Sequence, residues 1–534
     1  MRRWNGWGDD SFEYHLPPSA DTYLRDHVGP VKPRPDASMD MVLAAIPGSR
    51  LKAHPLLTTE PLDRLWHACG QSIPDWIAVR SGQIKAYPDG VAYPETDEEV
   101  SELLALARRI GAVLIPYGGG TSVLGHINPA PDSPPVITVD MSRFNNLVHL
   151  DPASHLAEIG AGANGPCIEA LLNPHGFTLG HFPQSWELST LGGWIATRSS
   201  GQQSYHYGRI EPLFRGGHVE THAGPFDLRP YPASAAGPDL REVILGSEGR
   251  LGIITRAIVQ VRSLPERESF KAAFFPTWES GAEALKAIVR AGVPVSMLRL
   301  SDAQETETTL ALSGKDQLVR LAYGGLRLAG YGDHPCLLIY GLTGDRRSVA
   351  FSRSRSATLI RKHGGFLTGS TIGSMWQKSR FTTPYLRNTL WERGYAAETL
   401  ETAMPWTDVI ETSSAVIDAI KQSAAVFDET PIIYAHLSHV YPTGASIYVT
   451  FVFRRGATPD DTLARWTAMK TAASRTIVNR EATISHQHGV GVDHAPYLSA
   501  EKGDVGMKLL HAIQKEMDPQ GCLNPGKCLL RPER

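Results

Sequence analysis

The chain is poor in cysteine, with five among 534 residues, at Cys69, Cys167, Cys336, Cys522 and Cys528. So few, so irregularly spaced, make neither a disulfide scaffold nor a Cys-rich zinc module, and they fit a reducing compartment. An excess of charge is also missing: 52 basic and 55 acidic residues leave a formal net charge of -3. No long-range positive field is therefore available to gather nucleic acid or an anionic membrane, and any anionic ligand falls to a few local Arg, Lys or backbone N–H groups. No stretch reaches the roughly 20 apolar residues of a membrane span. The basic opening Arg2-Arg3-Trp4-Asn5-Gly6-Trp7 runs into Gly and Asp rather than the apolar run of a signal peptide. The default location is the cytoplasm. There is no internal repeat and no low-complexity tract.

What is present is a long, ordinary globular composition, 42% hydrophobic and 20% charged, with 50 glycines. That length exceeds one hydrophobic core and predicts two large domains with appendages. The first 85 or so residues lack a sustained period and read as a wrapping segment. A clearer unit opens at Val91-Ala92-Tyr93-Pro94, a short strand. Thr96 and Glu99 then form a candidate capping box for a helix whose buried face is Val100, Leu103, Leu104, Ala107 and Ile110, with Gly111 ending it. Val113 to Pro116 resumes as a strand, so the segment reads as a β-α-β unit delivering Gly118-Gly119-Gly120-Thr121-Ser122. Strands are predicted at 136–140, 156–160, 270–275, 336–340 and 446–453, and helices over 278–291 and 460–479. The middle of the chain thus reads as α+β with an antiparallel sheet.

The 118–122 loop is neither a P-loop, lacking the following Lys-Ser/Thr, nor a Rossmann fingerprint. It offers consecutive backbone N–H groups that can nest an anion such as a pyrophosphate, with the Thr121 and Ser122 hydroxyls as further donors. Alone it reads equally well as a tight surface turn. Further glycine clusters at Gly192-Gly193 and at Gly246-Ser247-Glu248-Gly249 would let one elongated cofactor pass close to backbone several times.

Here a family resemblance enters. Pro94-Glu95-Thr96, Pro116 to Ser122, Gly180 to Ser185, Ser189 to Thr197 and Gly246 to Thr255 resemble the PCMH-type FAD-binding domain of the vanillyl-alcohol oxidase superfamily. Within it, Arg3-Trp4-Asn5-Gly6-Trp7-Gly8 and Ser485-His486-Gln487-His488-Gly489-Val490-Gly491 resemble the alkyldihydroxyacetonephosphate synthases. The likeness spans nearly the whole chain. It implies an N-terminal extension over 1–87 and an FAD domain of two α+β subdomains over 88–266. An α+β substrate cap follows over 267–480, and a C-terminal segment, 481–534, returns to the flavin. The cofactor implied is noncovalent FAD, without a metal. Gly118, Gly119, Gly120, Thr121 and Ser122 would surround its pyrophosphate. Ser189, Thr190, Gly192 and Gly193 would pass near the flavin, and Ile253 and Ile254 would line its adenine and flavin side. Pro116, Pro183, Ser185, Thr197, Ser199, Glu248 and Gly249 join the same set.

His486 and His488 stand two apart, which in an extended segment points both rings into one cavity. Two structural histidines, or a metal pair short of a third ligand, are the rival readings. The resemblance places this segment beside the flavin, although Gln487 breaks the family's run of three histidines. The expectation is that His488 handles a proton, as imidazole does near neutrality, while His486 orients substrate. The resemblance also brings in Arg387, whose guanidinium suits a carboxylate, and Tyr448. Arg299 carries one charge inside the apolar run Met297-Leu298-Arg299-Leu300, which marks either a phosphate ligand or a structural salt bridge. Arg209 and Arg250 are lesser anion candidates. His181 follows the family loop, but Gln184 replaces its usual aspartate.

The reaction implied is exchange of the acyl group of 1-acyl-dihydroxyacetone phosphate for a long-chain alcohol, with the flavin acting covalently and without net redox. An apolar tunnel in the cap would accommodate the chains. The partners implied are therefore a phospholipid precursor and a fatty alcohol, with peripheral membrane association and a homodimer, and no nucleic acid. The rival is an FAD-dependent D-2-hydroxyacid dehydrogenase, which Asn524-Pro525-Gly526-Lys527 resembles at least as well.

Overall fold

Thr96 caps the helix Asp97–Ile110 by accepting the Glu99 amide at 3.2 Å, and Gly111 closes it with a left-handed φ of 67°. The capping box is shifted, because the Glu99 carboxylate takes the amide of Glu95 rather than that of Thr96. Val100, Leu103, Leu104 and Ala107 form the buried face as expected. Ile110 does not, being 44% exposed on the last turn, and Leu106 is buried instead. The computed structural model to which these elements belong describes residues 2–313 and 323–529.

Strands β1 (Leu57–Thr58), β2 (Gly90–Ala92), β3 (Val113–Tyr117) and β4 (Val136–Asp140) form a first sheet in the order β1-β2-β4-β3. The expected β-α-β unit has an insertion: β2 and β3 are not neighbours, because β4 lies between them, parallel to both. The chain continues through β5 (Leu147–Asp151), β6 (Leu156–Gly160), β7 (Phe177–Thr178), β8 (Phe214–Glu220), β9 (Phe226–Leu228), β10 (Ile253–Gln260) and β11 (Arg262–Ser263). Five of these make a second, antiparallel sheet, β5-β6-β10-β8-β9, and β7 pairs with β11.

A third sheet of seven antiparallel strands takes up the rest. Its members are β12 (Arg267–Phe275), β13 (Met297–Ser301), β14 (Cys336–Gly344), β15 (Phe366–Gly369), β16 (Tyr395–Pro405), β17 (Ile432–Val440) and β18 (Gly444–Arg454), in the order β15-β12-β14-β13-β17-β18-β16. Alternation along these strands sorts their two faces. Leu298 and Leu300, Ile433, Ala435 and Leu437, and Ile447, Val449 and Phe451 join the core under the helices Trp278–Arg290, Val409–Ala425 and Pro459–Asn479. Side chains such as Phe451, wholly buried, each contribute about 1.5–3 kcal/mol relative to exposure. Arg299, Tyr434, His436, Tyr448 and Thr450 have the other parity and face a cavity.

Both chain ends reach that cavity. Leu16, Ala20 and Leu24 pack on Leu390, Ile432 and Val452, and Trp7 exchanges two hydrogen bonds with the Asn388 side chain. At the other end, Leu114 donates to Cys522 and accepts from Asn524, which lays the C-terminal segment along β3. No helix among the described residues is long and apolar enough to cross a membrane.

Candidate active site

Where β3 ends, the chain turns through Gly118 to Ser122. A Cβ on Gly119 would lie 1.8 Å from the Leu188 carbonyl oxygen, and one on Gly118 2.3 Å from Thr190 Oγ1. The glycines are thus needed for loop-on-loop packing, which seats the 118–122 and 188–193 loops side by side. Close approach by a ligand is not what first demands them. Gly120 adds a left-handed φ of 69°. The backbone amides of Gly118 through Ser122 donate to no acceptor among the described residues, so they are available to an anion.

The side-chain hydroxyls behave differently from the sequence expectation. Ser122 Oγ is taken by His126, at 2.6 Å from Nδ1. Ser189 Oγ accepts the Trp194 indole N–H at 2.7 Å, Thr190 Oγ1 caps its own helix, Thr197 Oγ1 donates to the Gly193 carbonyl, and Ser199 Oγ meets His181. What remains for a ligand along this wall is mostly backbone. Glu248 departs further: its carboxylate accepts the amides of Val490 and Gly491 at 2.5 and 2.8 Å, so it grips the C-terminal loop.

A cavity of about 910 Å³ joins this wall to the third sheet. On one side it is lined by Pro116, the 118–122 loop, Pro183, Ser185, Ser189, Thr190, Gly192, Gly193, Thr197, Ser199, Glu248, Gly249, Ile253 and Ile254. On the other stand Arg299, Arg387, Tyr448 and His488. The structure therefore brings together the expected cofactor and substrate residues with the exception of His486, and leaves the lesser candidates Arg209, Arg250 and His181 off the cavity lining. Gln202, Gln487 and Asn524, also on the wall, each keep a buried amide oxygen without a partner. A row of free amides at one end and such unpaired polar atoms along the length fit an elongated polar cofactor of the FAD kind.

The two arginines are in different electrostatic states. Arg299 is ion-paired, its Nη2 2.7 Å from Glu305 Oε1 and 3.3 Å from His436 Nδ1. Burial raises the Glu305 carboxyl, but His436 and Arg299 outweigh it and hold it well below the usual range. Arg387 has no carboxylate within ion-pair distance among the described residues. Its Nη1 donates to the Gln71 carbonyl at 2.9 Å, and the guanidinium lies 4.5 Å over the Trp76 ring. Burial lowers its pKa, opposed chiefly by Glu398 and Tyr448. A desolvated cation facing a cavity, with no carboxylate in direct contact, is suited to an anion.

The 485–488 segment is a bend, not an extended run, so the two imidazoles diverge. His488 enters the cavity, its ring 5.8 Å from that of Tyr448. His486 turns away and is buried, bonded to Arg209 Nη1 at 2.9 Å and to the Tyr441 hydroxyl at 2.7 Å. The bend is held by Glu401 of β16, whose Oε1 accepts the amides of Gln487 and His488, both at 2.7 Å, and the Ser485 hydroxyl at 3.2 Å. Tyr448 stacks on His436 at 4.8 Å, and burial pushes its hydroxyl up to about 12.

Glu401, Glu305, His436 and His439 escaped the reading of the sequence. That Glu401 is an acid buried in a strand is visible only in the fold. Arg209 and Arg250 do not line the cavity: Arg209 supports His486, and Arg250 donates to the Leu523 carbonyl. His181 is buried beneath the wall, its pKa lowered by burial to about 3. Away from the cavity, ligand-type atoms of His222, Asp518 and Cys522 lie within 4.8 Å of one another, with the Asp518 carboxylate occupied by the amides of Cys522 and Leu523.

Comparison with known proteins bears on the family and the cofactor. A family model for an FAD binding domain matches residues 88–224, and one for the C-terminal domain of FAD linked oxidases matches 264–528. Alkyldihydroxyacetonephosphate synthase of Dictyostelium discoideum is 31% identical, across 94% of this chain and 82% of its own. A solved alkyldihydroxyacetonephosphate synthase superposes with a TM-score of 0.85 at 28% identity, over 98% of both chains. The mitochondrial D-lactate dehydrogenase [cytochrome] 1 of Saccharomyces cerevisiae is 25% identical, across 82% of this chain and 72% of its own.

Proposed function

The chain belongs to the alkyldihydroxyacetonephosphate synthase family, and on that premise we propose that it is an FAD-dependent transferase that exchanges the acyl group of 1-acyl-dihydroxyacetone phosphate for a long-chain alcohol, releasing a fatty acid. One observation carries this reading. The cavity lined by the 118–122 loop is lined as well by Arg387, His488 and an apolar cluster of Leu24, Leu312, Leu390, Ile432 and Val452. A small hydroxy acid leaves such a cluster without an occupant, whereas a fatty chain covers it.

Bound FAD supplies reversible covalent chemistry at its ring, without net electron transfer. The chain's own residues do the rest. Arg387, with no carboxylate in direct contact among the described residues, takes the departing one in a charge-assisted contact. Arg299, oriented by Glu305, meets the phosphate end. His488 moves the proton at the reacting carbon, and Tyr448, kept protonated, donates a hydrogen bond beside it. His486 orients substrate only indirectly, through the bend it buttresses. The same reading divides the chain at 87, 266 and 480. A cytoplasmic location rests on the sequence pattern, and a homodimer and peripheral contact with membranes rest on the family reading; light scattering and vesicle flotation test the last two.

The deciding experiment incubates purified, flavin-loaded protein with palmitoyl-dihydroxyacetone phosphate and labelled hexadecanol, without an electron acceptor. Label in alkyl-dihydroxyacetone phosphate, matched by free palmitate, is the expected result. Bleaching of the flavin by a D-2-hydroxy acid under anaerobic conditions, with no alcohol exchange, would replace this function by dehydrogenation.

A further inference from the structure

His439 breaks the alternation of β17. Ile433, Ala435 and Leu437 face the core while Tyr434, His436 and Ser438 face the cavity, so residue 439 should point inward to the core. The register slips between Ser438 and Val440, however, and His439 adopts a left-handed φ of 48°. This β-bulge turns a second consecutive side chain into the cavity, after which Val440 rejoins the core. A non-glycine residue in that conformation within a strand is strained, and bulges commonly re-aim side chains beside active sites.

The re-aimed ring is held firmly. Ser200 Oγ, on the cavity wall, and Ser204 Oγ stand 3.1 and 3.0 Å from Nδ1, and the His486 ring stacks on it at 5.2 Å. Burial, reinforced by His486 and Arg209, keeps it uncharged. With Nδ1 engaged by the serines, Nε2 is the ring nitrogen left for a ligand.

We propose that His439 is a further catalytic residue, the second imidazole of the site in the place expected of His486, and that its Nε2 hydrogen-bonds a substrate oxygen. This rests on the transferase reading. The role is that of a fixed, neutral hydrogen-bonding group, distinct from the proton transfer given to His488.

Two variants separate the ring nitrogens. His439→Asn keeps a polar atom near Nδ1, tolerates the left-handed backbone, and removes the group facing the cavity. His439→Gln reaches toward the Nε2 position. The expected result is a loss of kcat of about tenfold to a hundredfold in His439→Asn, a smaller loss in His439→Gln, and flavin content and melting temperature equal to wild type. Wild-type turnover in His439→Asn overturns the proposal, and so does loss of FAD in proportion to activity in both variants. Binding of palmitoyl-dihydroxyacetone phosphate, read from the visible flavin spectrum, weakens in His439→Asn and needs no turnover. If the wild type exchanges no alcohol, the transferase reading fails while this titration still decides His439; unchanged binding there sinks it.

Discussion

Oε1 of Glu401 accepts the backbone amide of His488 at 2.7 Å and lies 3.5 Å from the Nδ1 of the same residue. One carboxylate thus fixes both the bend and the ring that leaves it. From the opposite wall, Glu248 holds the amides of Val490 and Gly491, one residue further on. The loop carrying His488 is clamped at both ends by buried acids.

Replacing Glu401 with Ala leaves the amides of Gln487 and His488 without an acceptor, and stability is expected to fall by about 2–3 kcal/mol. Glu401→Gln retains one acceptor oxygen and loses less. Urea unfolding of the three proteins checks the order.

Acid titration gives a second test of the same residue. Burial raises the Glu401 carboxyl, but His488, His486 and the Gln487 amide outweigh it and hold it well below the usual range. A depressed folded-state pKa contributes stability that is present above the unfolded value, about 4.3, and is lost as pH falls through the folded one. The stability gap between wild type and Glu401→Gln should therefore hold steady from neutrality down to about pH 5 and close on further acidification. A gap that widened in acid would contradict this placement.

The two histidines of the bend should separate cleanly. His488→Ala is expected to cut kcat by about a hundredfold or more with flavin retained. His486→Ala instead strips Arg209 and Tyr441 of a buried partner and should appear mainly as a stability loss of about 1–3 kcal/mol. Equal kinetic defects with equal stability would return His486 to the reacting face.

Arg299 and Glu305 form a mutual pair, so Arg299→Met strands a buried carboxylate and should lower stability by about 2 kcal/mol as well as weaken substrate binding. Adding Glu305→Gln restores the melting temperature without restoring KM. Recovery of both together would make the arginine structural alone.

Gly119→Ala tests the contact between the two loops. A methyl group cannot occupy the space 1.8 Å from the Leu188 carbonyl, so the loops must part and the amide nest opens. The protein is expected to purify with little visible flavin absorption, and excess FAD should bind weakly in titration.

Much of this architecture was legible in the residues. Val136–Asp140 reads as a strand from its β-branched residues, and Thr96 and Gly111 bracket a helix by capping chemistry alone. Arg387, by contrast, has no local signal; it stood out only through family likeness, and its lack of a carboxylate in direct contact among the described residues is a property of the folded cavity. His436 and His439 are three apart, a spacing at which a regular strand sends side chains to opposite faces, so only the bulge unites them. Glu401 acts across strands on a loop more than eighty positions later, at |i−j| of 87 from His488. Such partnerships come from register and closure, which local pattern does not encode. The paired histidines misled for the same reason: their spacing assumed a straight backbone, and the carboxylate that bends it lies elsewhere in the chain.

Asn524 donates one side-chain hydrogen bond to the carbonyl of His126, 398 positions earlier, and another to that of Glu248. During synthesis the first sheet can leave the ribosome long before the C-terminal segment that lies along β3 exists. Until the last portion emerges, the nascent protein holds a half-walled trough whose apolar lining faces water, so a folding assistant has something to grip. Ribosomes stalled just short of that point should therefore display the protein in a chaperone-binding, protease-sensitive form.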